Sequence, residues 1–285
     1  MITPFTQQGE VDHEKLWRLA RHLTDHGSDG LVVTGTTGEA PTLTTDEKVA
    51  AYRTVKDAVQ HKDTVVVAGT GTYDTAESVL LSQRAAEAGA DAIMAVTPYY
   101  SKPEQEGLVR HFEAVADATD LPTIVYNIPG RTGRLISLAT LERLARHPRI
   151  VATKDAVMDV EFTSATVARV PQLAVYSGQD SYTLAMMAVG AVGVISVISH
   201  LAGDEVVAMV DAALADKLTE ARNLHHALLP LCEACFLESN PSPVKAAMGK
   251  LWEPVGDPRL PLVPASPASL AAVEAAVGVL QKTSV

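Results

Sequence analysis

Cysteine, surplus positive charge and long apolar runs are all scarce in this chain of 285 residues. Its only cysteines are Cys232 and Cys235, too few for a disulfide framework and suited to a reducing compartment. A net charge of −11 argues against nucleic acid or an anionic membrane as the partner. No apolar stretch approaches the roughly 20 residues that cross a bilayer, and the opening residues lack the basic and apolar regions of a secretion signal. We therefore expect a soluble, cytoplasmic protein that acts on small metabolites.

Short apolar runs rich in β-branched residues recur along the chain, and a helical pattern follows each one. The runs cover residues 31–34, 64–68, 93–97, 123–126, 150–153, 173–176 and 192–197. Strands that alternate with helices predict a parallel sheet, and seven or eight such units favour an α/β fold closed into a (β/α)₈ TIM barrel. An open, doubly wound sheet is the alternative, but no GxGxxG phosphate fingerprint follows the first of these runs.

The two ends of the chain depart from this alternation. Only residues 2–5 are available for the first strand, so we expect that strand to be short or the chain to start late. After residue 202 the pattern is helical only, with helices predicted over residues 204–214, 217–237 and 269–280. A barrel uses about 250 residues. We therefore predict a barrel over residues 1–202 and a C-terminal helical appendage, packed on it, over residues 203–285.

Lys154 stands at the carboxyl end of an otherwise apolar run. An unpaired ammonium is costly to bury and tends to lose its proton, which makes the amine a nucleophile able to form an imine with a carbonyl. The alternative interpretation is a solvated lysine that merely starts a loop. The residues that follow the other strands favour the reactive amine.

In a barrel, the carboxyl ends of all strands share one rim, where the chemistry lies. The candidates at that rim are Thr36 and Thr37 in GTTGE, Tyr100 in VTPYY, Tyr126 and Arg131 in YNIPGRTG, Gly178, and Ile195 in GVISV. Together with Lys154 they offer an amine, hydroxyls that can relay a proton, and groups that bind carboxylates. Such a set suits a 2-oxo acid. Tyr126 beside the imine could transfer protons through a relay to Thr37 and Tyr100.

The same motifs support a resemblance to a known family. GTTGE at residues 35–39, VTPYY at 96–100, YNIPGRTG at 126–133, Lys154, GVISV at 193–197 and NPSPVK at 240–245 are in the order and spacing of the dihydrodipicolinate synthase family. The chain resembles this family of class I pyruvate-dependent lyases over nearly its whole length. The resemblance implies condensation of pyruvate with L-aspartate 4-semialdehyde to 4-hydroxy-tetrahydrodipicolinate, the first step of the diaminopimelate and lysine pathway.

The resemblance also implies a role for each candidate residue. Lys154 would form the Schiff base with pyruvate, and Thr37, Tyr126 and Tyr100 would form the proton relay. The pyruvate carboxylate would be held at Thr36 and Thr37, with Gly178 and the Ile195 backbone lining the site, and Arg131 would bind the carboxylate of the semialdehyde. In the family, the residue equivalent to Tyr100 comes from a neighbouring subunit. A Tyr100 donated across an interface requires at least a dimer, and the resemblance implies a homo-oligomer, a tetramer built from dimers, that needs no metal and no organic cofactor.

Two other functions remain open at this point. An aldolase of the same family could act on a 2-keto-3-deoxy sugar acid or on N-acetylneuraminate, and Arg131 is the residue that favours the synthase over it. A pyruvate-binding sensor could retain the barrel without its chemistry. The presence of Lys154, Thr37, Tyr100 and Tyr126 together argues against a sensor, because binding alone does not require a relay.

Overall fold

Strands and helices alternate along most of the chain. The computed structural model describes residues 1–283, apart from the side chains of residues 281–283. The chain divides into two compact units. We call residues 1–64 together with residues 197 onward the terminal unit, and residues 65–196 the sheet unit. The predicted division into a barrel and an appendage at residue 202 rests on sequence alone and stays a prediction.

The terminal unit begins with a helix, a strand and a second helix: α1 His13–Asp25, β1 Gly30–Val33 and α2 Thr45–Val59. Asp12 caps α1 by accepting the Lys15 N–H at 3.0 Å. Thr44 and Glu47 form a capping box at the start of α2, because each side chain accepts the backbone N–H of the other. Gly27, with a φ of 83°, ends α1 in the left-handed conformation that glycine tolerates best.

The sheet unit contains six strands and six α-helices in the described part of the chain. The elements are β2 Val65–Gly69, α3 Thr75–Glu87, β3 Ala92–Val96, α4 Gln105–Asp117, β4 Thr123–Asn127, α5 Pro129–Thr132, α6 Leu138–Leu144, β5 Ile150–Asp155, α7 Val160–Arg169, β6 Ala174–Ser177, α8 Thr183–Ala188 and β7 Gly193–Val194. Strands β2 to β7 pair in parallel in the order of the chain. Buried side chains such as Val66 and Ile93 fill the strands, as expected where helices cover a parallel sheet.

Four helices complete the terminal unit: α9 Gly203–Leu214, α10 Leu218–Ala234, α11 Ser242–Leu251 and α12 Pro267–Thr283. Three of them agree with the sequence prediction, but α11 was missed because Pro241 and Pro243 indicated a loop. A proline in the first turn of a helix is harmless, since the N–H that it lacks has no partner inside the helix. Cys232 and Cys235 are both buried, Cys232 within α10 and Cys235 directly after it.

Residues 2–5, the segment available for a first strand, form no regular strand in this structure. The segment is buried, yet it forms only an isolated bridge between Phe5 and Val11. The Ile2 N–H donates to the His200 Nε2 atom at 3.0 Å, and Pro4 has no N–H to offer a ladder. Hydrogen bonds from the N-terminal ammonium of Met1 to the Val32 carbonyl and from Ile2 to the His200 ring therefore take the place of strand pairing. In residues 1–283, no helix has the length and apolarity needed to cross a membrane.

Candidate active site

Lys154 is the one lysine of the sheet unit that lies in a strand. It is the fifth residue of β5, where it aligns with Tyr126 of β4 and with Tyr176 of β6. The side chain is half-buried, and its Nζ atom is 4.5 Å from the centre of the Tyr126 ring. Lys154 forms no ion pair with any residue that the structure describes. The amine therefore lies on an aromatic face and has no ion-pair partner among the described residues.

Tyr126 is 4% exposed. Its ring lies beside the Lys154 amine, and its backbone oxygen binds the residue that follows β3. Its backbone oxygen accepts the Thr97 N–H at 3.0 Å and the Thr97 hydroxyl at 2.8 Å. Thr97 directly follows β3, so these bonds fix the start of the segment that carries Tyr99 and Tyr100. The two strand ends are thereby tied together beside Lys154.

Gly178 leaves room for the stem of Lys154. A Cβ atom at Gly178 would lie 3.1 Å from both the Cγ and the Cε atoms of Lys154 and 2.8 Å from the Ala156 Cβ atom. The Gly178 N–H donates to the Asp155 carbonyl at 2.7 Å. Any larger residue would push against the lysine. The glycine that the sequence placed in the substrate site thus touches the side chain of the predicted nucleophile.

Asp155 follows the lysine and points away from it into the polar loop before α7. Its carboxylate accepts the Val157 N–H at 2.9 Å and the Thr163 hydroxyl at 2.7 Å. Burial raises the pKa of Asp155 above its ordinary value, although these hydrogen bonds act in the other direction. The side chain fixes the turn that leaves β5, and so supports the strand end at Lys154.

Arg131 and Tyr100 are both exposed in the sheet unit. Arg131 lies in α5, and its guanidinium has no hydrogen bond or ion pair with any described residue. Arg134, by contrast, donates to the Lys102 carbonyl at 2.7 Å and to Glu104 at 3.1 Å. Tyr100 is 93% exposed with a φ of 67°, unusual for a residue with a side chain this large. The Arg131 guanidinium is thus available to bind an anion, and the Tyr100 side chain projects into solvent.

Ile195 lies just beyond β7, and its N–H donates to the Ser177 carbonyl at 2.9 Å. That bond extends the pairing of β6 and β7 past the last residue of the strand. The sheet unit therefore contains Lys154, Tyr126, Tyr100, Arg131, Gly178 and Ile195. Thr36 and Thr37 belong to the terminal unit.

The turn that carries Thr36 and Thr37 follows β1 and is held from within its own unit. The Gly38 N–H donates to the Gly35 carbonyl at 3.0 Å, and the Thr37 hydroxyl accepts from the Asn240 amide at 3.0 Å. Glu39 forms an ion pair of 2.6 Å with Lys245 and also accepts the Arg259 N–H at 2.8 Å. The NPSPVK motif, which contains Asn240 and Lys245, is recognisable in the sequence. The roles of these two residues are not, because their partners Thr37 and Glu39 are 203 and 206 residues away.

The whole chain was compared with known families and proteins. A model described as the Dihydrodipicolinate synthetase family matches residues 1–279. The chain belongs to this family. Among curated relatives, the 4-hydroxy-tetrahydrodipicolinate synthase of Moorella thermoacetica is 51% identical over 267 residues, which are 93% of this chain and 91% of the relative.

Solved structures agree with the family assignment. The dihydrodipicolinate synthase of Bacillus anthracis has a TM-score of 0.94 and 43% identity, with 98% of this chain and 95% of that chain covered. The enzyme of Acinetobacter baumannii, solved in complex with pyruvate, has a TM-score of 0.95 and 37% identity, with 99% of this chain and 97% of that chain covered. The expected fold class, an α/β barrel, is confirmed by this likeness.

The comparisons also confirm the expected kind of enzyme. The curated relatives at about 50% identity are named 4-hydroxy-tetrahydrodipicolinate synthase. Within the dihydrodipicolinate synthetase family, the chain is therefore a lyase of lysine biosynthesis. None of these comparisons supports the alternative of a sugar-acid or N-acetylneuraminate aldolase.

Proposed function

We propose that this protein condenses pyruvate with L-aspartate 4-semialdehyde through an imine on Lys154, giving 4-hydroxy-tetrahydrodipicolinate. The observation that carries the proposal is the Lys154 amine 4.5 Å from the Tyr126 ring centre, with no ion-pair partner among the described residues. Because Lys154 forms no ion pair with any of these residues, no salt bridge has to break before its nitrogen attacks a carbonyl. A neutral amine is the form that attacks the carbonyl carbon of a 2-oxo acid.

The reaction needs protons moved at each stage. The Lys154 nitrogen bonds to C2 of pyruvate, and the carbinolamine oxygen leaves as water once it is protonated. Removal of a methyl proton then gives an enamine, whose carbon attacks the semialdehyde carbonyl. The semialdehyde nitrogen displaces the Lys154 amine from the imine carbon and closes the ring. Tyr126, buried beside the amine, is proposed to transfer these protons in a relay with Thr37 and Tyr100.

The remaining roles follow from the family likeness and from exposure. Arg131 is proposed to bind the semialdehyde carboxylate, because its guanidinium is exposed and free of partners among the described residues. Thr36, Thr37, Gly178 and the Ile195 backbone are proposed to bind pyruvate. Because Tyr100 is 93% exposed in a single subunit, we propose that it acts in a neighbouring subunit of a homo-oligomer, a tetramer of dimers. The cytoplasmic location stays a prediction.

Borohydride trapping tests the amine directly. Wild-type protein incubated with pyruvate and borohydride should gain one reduced pyruvate adduct per chain by mass spectrometry, and Lys154→Ala should gain none. The matched control is Lys102→Ala, because Lys102 is exposed and is the other lysine of the sheet unit. An adduct that persists in Lys154→Ala would remove this residue from the mechanism.

Substrate choice tests Arg131. Pyruvate consumption is measured with aspartate semialdehyde, N-acetylmannosamine and glyceraldehyde, each offered separately to wild type and to Arg131→Ala. We expect preference for the semialdehyde, and about a 10- to 100-fold loss of kcat/KM for it in the variant, the effect of losing a charged hydrogen-bond donor. The KM for pyruvate should change little. Preference of the wild type for a sugar aldehyde would contradict the proposal.

A further inference from the structure

The Thr37 hydroxyl has a neighbour that the proposed mechanism does not use. Asn240 Nδ2 donates to Thr37 Oγ1 at 3.0 Å, across 203 residues of sequence. Both residues belong to the terminal unit. Asn240 is 5% exposed, so little solvent reaches its amide to compete for this bond.

Asn240 is held in place by the segment that contains it. α11 begins two residues later, and the Lys245 N–H donates to the Pro241 carbonyl at 2.8 Å. From the same segment, the Lys245 ammonium binds Glu39, two residues beyond Thr37. Residues 240–245 therefore hold the turn after β1 at two points, one on the Thr37 hydroxyl and one on the Glu39 carboxylate. Groups held by such packing keep their orientation during a reaction.

The direction of the hydrogen bond matters for proton transfer. A hydroxyl has one proton to donate and two lone pairs that accept. Because the Thr37 oxygen accepts from the Asn240 amide, its own proton is directed away from Asn240. If the amide were reversed, Thr37 would have to donate to the Asn240 oxygen, and no proton would be left for a relay.

The other half of the Asn240 amide makes no hydrogen bond within residues 1–283. Its Oδ1 atom is buried without a hydrogen-bond partner in the part of the chain that the structure describes. The bond to Thr37 is therefore the one side-chain hydrogen bond that Asn240 makes among the described residues.

We propose that Asn240 is a positioning residue, whose amide N–H fixes the Thr37 hydroxyl with its proton free for transfer. The inference rests on the proposed function, because it assigns a purpose to the orientation of Thr37 in the relay. It predicts that turning the Asn240 donor into an acceptor harms proton transfer more than removing the side chain does.

The first test compares Asn240→Asp with Asn240→Ala. The introduced carboxylate accepts the Thr37 proton, whereas alanine leaves that hydroxyl unconstrained. Two rates are measured: kcat of the condensation, and incorporation of deuterium into the pyruvate methyl group in D₂O, which follows enamine formation without the semialdehyde. We expect both rates to fall by about 10- to 100-fold in Asn240→Asp, within the range of general acid–base effects, and less in Asn240→Ala. The KM for pyruvate should change less than kcat.

The second test is a double-mutant cycle with Thr37→Val, followed by deuterium incorporation at high enzyme concentration. If Asn240 acts through Thr37, Asn240→Asp should slow the Thr37→Val enzyme no further. The matched control is Asn223→Asp, the same chemical change at an exposed position of α10, which should behave as wild type. Melting curves show whether each variant is folded.

Three results would overturn the inference. Asn240→Asp could retain the wild-type kcat, Asn240→Asp and Asn240→Ala could lose activity equally, or the losses in Thr37→Val and Asn240→Asp could multiply. Any of these in an active wild-type enzyme would leave the proposed function intact. A wild type that neither condenses the substrates nor exchanges the methyl protons would instead remove the proposed function, and this inference with it.

Discussion

The ion pair of Lys245 and Glu39 supports a strong prediction about stability. Both side chains are essentially inaccessible to solvent, at 1% and 0% exposure, and their charged atoms are 2.6 Å apart. Lys245 Nζ also lies 3.9 Å from the centre of the Phe5 ring. Burial lowers the pKa of Lys245 even though Glu39 raises it, so the cost of desolvation is large here.

The perturbation is Lys245→Met, which keeps the apolar stem and removes the charge. Glu39 would then be a buried carboxylate whose remaining hydrogen bond is the Arg259 N–H at 2.8 Å. Removing one partner of a buried pair costs about 3–5 kcal/mol, most of it from the charge left behind. At about 2 °C for each kcal/mol in a chain of this size, Tm should fall by about 6–10 °C.

The assay is urea unfolding followed by circular dichroism, with a thermal scan beside it. Lys250→Met is the matched control, because it removes an exposed lysine from the same helix and should change stability by less than about 0.5 kcal/mol. Adding Glu39→Gln to Lys245→Met should recover part of the loss, since a neutral amide oxygen can still accept the Arg259 N–H. A loss below about 1 kcal/mol in Lys245→Met, or a double variant weaker than the single one, would refute the reasoning.

Three further predictions concern the site and the pH dependence of stability. Gly178→Ala should slow imine trapping on Lys154 by about 10- to 100-fold, because displacing the amine by a fraction of an ångström disturbs its attack on pyruvate. The control is Gly130→Ala, whose added carbon meets nothing within 4 Å and which should be trapped at the wild-type rate. His200 is buried and its pKa is lowered to about 3 by that burial, so stability in urea should decline as pH falls from about 6.5 towards 3, and His200→Gln should decline less. Contact with Arg259 lowers the pKa of Glu47 to about 2, so the contribution of Glu47 to folding stability is complete above about pH 4.5 and is lost towards pH 2. Glu47→Gln should therefore lower stability by about 1 kcal/mol at pH 7 and by little at pH 2. Equal pH slopes in variant and wild type would contradict either of the last two.

The order of strands and helices could be predicted from the sequence, because local patterns of apolar residues determine it. All seven predicted strands after the first are present within a few residues, although the last is reduced to Gly193–Val194. The capping box at Thr44 and the N-cap at Ser137 are local features of the same kind. These signals lie within one turn of the element that they start, so no tertiary information is needed to recognise them.

The sequence also identified Lys154 at a strand end, since the change from β-branched residues to charged ones is visible locally. Its placement above the Tyr126 ring is a tertiary property, set by the register of β4 against β5. The same holds for Gly178, whose closeness to Lys154 depends on how β5 and β6 are aligned. Register depends on how neighbouring strands pack against each other, so it cannot be predicted from the sequence of one strand alone.

Contacts between distant segments could not be predicted from the sequence. The bonds from Asn240 to Thr37 and from Lys245 to Glu39 span 203 and 206 residues, and no periodicity in either segment points to the other. Residues 2–5 read as a strand locally, but the His200 ring takes the amide that a ladder would use. The sequence by itself determined the elements and the reactive residue types, because these depend on near neighbours. Only the tertiary structure decided the partners of each buried polar group. A buried group must form its hydrogen bonds inside the protein, and the fold determines which groups lie close enough to bond with it.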